Sequence, residues 1–131
     1  MSYDFLLFKL RSPVSNTTEL AVENMLPLGT GTEIKRQIAA VIPDVVWEPA
    51  FVGSVGQVLH TGRVERAGGA YMEISFRDEN DLMVMVSSGL TRSNLDLLNQ
   101  LCTSLGWTME DPQRDTLHGA NVISRERDGT R

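Results

Sequence analysis

In residues 69–89 polar and apolar positions alternate, and then the alternation stops. Met72, Ile74 and Phe76 fall on one side of an extended chain, with Tyr71, Glu73, Ser75 and Arg77 on the other. Successive side chains of a strand point to opposite faces, so this half predicts one buried and one wet face. Asp78-Glu79-Asn80-Asp81 breaks the pattern with residues that solvate well and make turns. Leu82-Met83-Val84-Met85-Val86 is apolar on both sides, as in a strand inside a covered sheet. Together they predict a β-hairpin in the middle of a sheet.

The rest of the chain arranges itself around that hairpin. Residues 3–10 are almost continuously apolar and suit a covered strand. Residues 17–25 predict a short helix. Thr30 followed by Glu33 is a capping box, and Ile34, Ile38, Val41 and Ile42 make the apolar stripe of a first helix that Pro43 stops. Residues 45–47 read as a strand. The glycine-rich stretch to Gly69 predicts two short strands, at 57–60 and 63–66. Ser93 is the expected cap of a second helix with Leu95, Leu98, Leu101, Cys102 and Leu105 on its apolar stripe and Gly106 as its left-handed terminus. Residues 107–109 return to the sheet, and a short strand is expected near 116–118.

This β-α-β-β-β-β-α-β order predicts an α+β fold, a mostly antiparallel sheet with the two main helices packed on one face. Residues 1–118 read as one domain and 119–131 as a polar C-terminal tail. The other sheet face, carrying Tyr71, Glu73, Ser75 and Arg77, is the expected place for a partner.

Composition narrows the function classes. The 131 residues carry 17 acidic and 12 basic groups, a formal net charge of −5, without a run of Lys or Arg. Nucleic-acid binding needs a basic patch, so it is not expected, and a partner with a basic surface is favoured. The absence of a signal-peptide pattern and of a long apolar run predicts a cytoplasmic protein with no membrane span. The single cysteine, Cys102, fits a reducing compartment and reads as a small buried residue on its helix.

Candidate chemistry is sparse. Gly29-Thr30-Gly31-Thr32 precedes a helix but lacks the lysine of a phosphate loop, so capping is the better reading. The two histidines, His60 and His118, have no closely spaced companions, so neither a metal nor a cofactor is expected, and both read as surface or loop residues. The sharpest enzyme reading makes His60 a general base oriented by Glu73 or Glu65, without a recognised nucleophile. The acidic set Asp44, Glu48, Glu73, Glu79, Asp81, Glu110 and Asp111 serves solubility or, gathered on one face, docks a basic protein.

Several segments resemble a family of small uncharacterised bacterial α+β proteins. They are Met-Ser-Tyr-Asp-Phe-Leu-Leu-Phe at the start, Leu-Pro-Leu-Gly before the first helix, Ile-Pro-Asp-Val-Val-Trp after it, Tyr-Met-Glu-Ile-Ser-Phe in the hairpin and Leu-Cys-Thr-Ser-Leu-Gly-Trp ending the second helix. The resemblance spans residues 1–111. It departs at the longer glycine-rich segment and at Ser87 or Ser88, where the family pattern has an arginine. It implies an immunity or accessory role. The expected function is therefore non-enzymatic protein binding by a monomer or homodimer. The alternative is a small enzyme or ligand binder with a site around His60 and Glu73.

Overall fold

The computed structural model describes residues 3–78 and 82–123. In chain order the elements are β1 (Tyr3–Leu10), β2 (Met25–Leu26), α1 (Gly31–Val41), β3 (Val46–Trp47), β4 (Phe51–Val52), β5 (Val58–Glu65), β6 (Tyr71–Arg77), β7 (Val84–Ser88), α2 (Arg92–Leu105), β8 (Thr108–Asp111) and β9 (Thr116–Gly119). The fold is α+β, and more of it is sheet than helix. Among the described residues the nine strands form one sheet of order β3-β5-β6-β7-β1-β8-β9, with β2 beside β1 and β4 beside β5. Every pairing between these strands is antiparallel. The β6–β7 hairpin sits at mid-sheet as its alternation predicts, while its turn at 79–81 lies outside the described residues.

Local chemistry explains the helix ends. At α1 the Thr30 hydroxyl accepts the Glu33 N–H at 3.2 Å, and the Glu33 carboxylate accepts the Thr30 N–H at 2.8 Å. This reciprocal box satisfies two donors that a helix start leaves over. At α2 the cap is Thr91, two residues before the expected Ser93; its hydroxyl accepts the Asn94 N–H at 3.2 Å. Asn94 accounts for the shift. It is buried, its side-chain oxygen accepts the Tyr71 N–H at 2.8 Å, and its amide donates to the Gly89 carbonyl at 3.0 Å. Those bonds tie the first turn of α2 to both strands of the hairpin. The helix closes at Gly106 in the left-handed conformation (φ 70°), where a side chain would be strained.

Three expectations are corrected. Residues 17–25 hold two short 3-10 turns, Thr17–Glu19 and Val22–Asn24, in place of a helix. The side chain of Asn16 accepts the Thr18 N–H and starts the first turn, a local bond that competes with helix propagation. The two short strands expected at 57–66 are the single strand β5, which runs through Gly62 without a turn. A Cβ on Gly62 would lie 2.6 Å from the Trp47 ring, so glycine there makes room for the indole. Residues 120–123, expected as tail, are held by backbone bonds from Ala120 N–H to Trp107, Val14 N–H to Asn121 and Ile123 N–H to Val14. Residues 124–131 lie outside the described residues.

Two apolar cores flank the sheet. The larger joins Ile34 and Ile38 from α1, Ile42 just after it, and Leu97, Leu98, Leu101 and Cys102 from α2, to strand residues of one parity such as Phe5, Met72, Ile74, Phe76 and Val86. The smaller contains Phe8, Leu10 and Val14, with Leu6, Leu20, Met25, Met83 and Leu117 packed against it. Phe8 and Leu10 alternate with Phe5 and Leu7 along β1, so this second core belongs to the opposite face. The segment carrying Val14, Leu20 and Met25 therefore covers one end of that face only.

Candidate functional site

Strand register determines what remains on the face of the smaller core. Directly opposed residues of an antiparallel pair share a face. Tyr71, Glu73, Ser75 and Arg77 lie opposite Glu65, Arg63, Thr61 and Leu59 of β5. Glu73 and Ser75 lie opposite Ser87 and Met85 of β7, which in turn face Asp4 and Leu6 of β1. Beyond Leu6 the row continues to Glu110. Tyr71, Glu73, Ser75 and Arg77 thus share one face. Tyr71, Glu73 and Arg77 are exposed and Ser75 is half-buried.

That face is more apolar than the alternation of β6 alone implies. Val46 lies opposite Arg63 and Phe51 opposite Leu59, which puts both on the same side. Val46, Phe51, Tyr71 and Met85 are 55%, 65%, 42% and 44% exposed. Isolated apolar residues at a surface are ordinary, but several on one face rimmed by charge mark an interaction surface. At its centre Leu6, Leu59, Ser75, Arg77, Met83 and Met85 line an open depression of about 220 Å³. The charged rim is ordered internally. Arg63 donates to Glu48 at 2.6 Å, and the Tyr71 hydroxyl donates to Glu73 at 3.1 Å, a bond that raises the Tyr71 pKa above its ordinary value.

His60 is placed elsewhere. It lies opposite Phe76, on the parity of β5 that faces the larger core, and is only 7% exposed. Glu73 lies opposite Arg63, three positions along, and so points to the other face. The structure does not bring His60 and Glu73 together, and Glu65 shares the side of Glu73. The partner of His60 is Asp78, whose carboxylate accepts its Nε2–H at 2.7 Å. His60 is thus a buried residue, not a surface or loop histidine, because the parity of β5 turns it inward beside the start of α1. Its other ring nitrogen, Nδ1, is buried without a hydrogen-bond partner among the described residues. Asp78 also accepts the Gly31 N–H through its backbone carbonyl at 2.9 Å.

The remaining candidates are dispersed. The acidic set does not gather on one face: Asp111 is buried, Asp44 pairs with Arg66 at 2.8 Å, and Glu79 and Asp81 lie outside the described residues. His118 is exposed, with Nε2 3.1 Å from the Thr116 hydroxyl. Cys102 is buried, and burial pushes its thiol pKa up to about 12, which suppresses the reactive thiolate. Trp107 is buried in the core, whereas half-buried Trp47 meets Phe76 edge-on at 5.7 Å and carries Lys35 over its ring. Among the described residues no group of three or more His, Cys, Asp or Glu is placed to hold a metal ion. No described helix is long and apolar enough to cross a membrane.

Sequence reasoning found the polar residues of the exposed face but missed Val46, Phe51 and Leu59. The signal for Leu59 was the alternation in Leu59-His60-Thr61-Gly62-Arg63, which the glycine obscured; Val46 and Phe51 are placed only by their pairing with β5. No protein-family model matches the chain, and no curated protein or solved structure matches it.

Proposed function

We propose that the chain is a non-enzymatic protein-binding module, with α1 and α2 packed on one sheet face and the partner docking on the other. The supporting observation is the placement of Val46, Phe51, Tyr71 and Met85, all exposed and all on the face opposite the larger core. An apolar centre within a polar rim is the anatomy of a protein interface, and aromatic anchors such as Phe51 and Tyr71 carry much of the energy of such contacts. The depression between Leu6 and Met85 accommodates one apolar side chain of the partner. Around it stand Asp4, Glu65, Glu73 and Glu110 against Arg63 and Arg77, so the rim favours a partner with basic groups at its periphery.

Affinity capture from an extract of the source cells tests this, using the wild-type chain, Met85→Asp and Glu73→Lys. A partner retained by the wild type, lost with Met85→Asp and weakened with Glu73→Lys supports docking on this face. Capture that is unchanged by both substitutions contradicts it.

A further inference from the structure

A second cavity, of about 230 Å³, lies on the other side of the sheet, between the first half of α2 and the β8–β9 hairpin. Its apolar wall is made by Phe5, Leu95 and Met109, and Asn99, Asp111, Arg114 and His118 converge on it. A concave site with an apolar wall and a few convergent polar groups is the usual form of a small-ligand pocket.

The polar groups are arranged by one turn. Asp111 is 4% exposed, and its carboxylate accepts the backbone N–H of Arg114 at 3.2 Å. The Tyr3 hydroxyl stands beside the same carboxylate; burial first, and then Asp111, raise the Tyr3 pKa. A backbone donor, the Arg114 N–H, therefore already occupies the acidic group of the pocket. The Arg114 guanidinium also faces the Tyr3 hydroxyl and acts on its pKa in the lowering direction. It is exposed and forms no ion pair among the described residues. Its planar fork suits a carboxylate in a two-point contact. His118 enters the same cavity, and with Nε2 at Thr116 its other ring nitrogen remains for a second partner.

We propose that this cavity binds a small carboxylic acid with a compact apolar body, a branched aliphatic or monocyclic aromatic acid. Its carboxylate sits on Arg114 and His118, and its body lies against Phe5, Leu95 and Met109. The volume sets the size limit: it is below the roughly 300–1,000 Å³ of pockets for larger organic ligands. The site is independent of the protein-binding face, which lies on the opposite side of the sheet.

Benzoate, benzyl alcohol and benzylamine, titrated separately into isotopically labelled protein and followed by amide chemical shifts, test the charge and the place together. Benzoate is expected to give saturable shifts at Leu95, Met109 and His118, with benzyl alcohol binding more weakly. Arg114→Gln, at an exposed position and checked for an unchanged spectrum elsewhere, is expected to weaken benzoate about tenfold or more, as loss of a charged hydrogen bond does. Preference for benzylamine would assign the pocket to Asp111 and overturn the proposal. Absence of saturable shifts with benzoate, or equal benzoate affinity in Arg114→Gln, would overturn it as well.

Discussion

The Asp78 carboxylate lies 2.7 Å from His60 Nε2, and a Cβ added to Gly31 would fall 2.4 Å from that carboxylate and 2.6 Å from that nitrogen. Three segments, β5, the end of β6 and the start of α1, therefore meet at one point with no spare volume. In an ordinary helix Gly→Ala stabilises by up to about 1 kcal/mol, because alanine loses less backbone entropy. Here the sign reverses. Gly31→Ala is expected to lower stability by more than about 1 kcal/mol, since either the His60–Asp78 hydrogen bond or the helix start must shift. Asp78→Ala leaves Nε2 of the buried imidazole, like Nδ1, without a protein partner and is expected to cost about 1–3 kcal/mol. Urea melts of the two variants check this; a Gly31→Ala midpoint above that of wild type would show that the three segments are not so closely packed.

The position of the α2 cap gives a sharp contrast between neighbours. Thr91→Ala removes the acceptor for the Asn94 N–H and is expected to cost about 1 kcal/mol, whereas Ser93→Ala should be close to neutral. Thr30→Ala at α1 should also cost about 1 kcal/mol. Denaturant midpoints settle the order, and a larger loss from Ser93→Ala than from Thr91→Ala would move the helix start.

Two carboxylates make opposite contributions to the pH dependence of stability. Hydrogen bonds from Arg66 hold the Asp44 pKa below its ordinary value of 3.8. Its contribution is present above that value and is lost as pH falls through the lower, folded-state pKa. Burial, and then the nearby charge of Asp115, raise the Glu110 pKa above its ordinary 4.5. Glu110 therefore lowers stability at neutral pH, and that cost disappears as pH falls through its raised folded-state pKa towards 4.5. Asp44→Asn is expected to destabilise modestly at neutral pH and Glu110→Gln to stabilise, with both differences shrinking in acid. Urea midpoints collected from neutral to acid pH check both signs. A destabilising Glu110→Gln at neutral pH would contradict the placement of that carboxylate.

The elements legible in the sequence were those whose signal is local. The Thr30–Glu33 box, the stripes of Ile34–Ile38 and Leu98–Leu101, the alternation of Tyr71 to Arg77 and the Gly106 terminus each specify their structure within a few residues. What stayed hidden depended on distant partners. Gly62 looked like a turn because nothing in its neighbourhood announces the Trp47 ring that needs its space. Ser93 looked like a cap because the bonds that fix α2 run from Asn94 to Tyr71 and Gly89. His60 looked like a companion of Glu73 until the register of β5 against β6 put the two on opposite faces. The exposed face was half legible for the same reason: its polar row lies within one strand, while most of its apolar residues come from five others, β1, β3, β4, β5 and β7.

The most direct test of a protein-binding face is photo-crosslinking from a benzoylphenylalanine placed at position 85, with the same probe at exposed Arg36 on α1 as the control. In an extract of the source cells, position 85 is expected to give a discrete adduct that position 36 does not, and Tyr71→Ala in the same chain should diminish it. No adduct from position 85, or the same adducts from both positions, would contradict the assignment of this face to a partner.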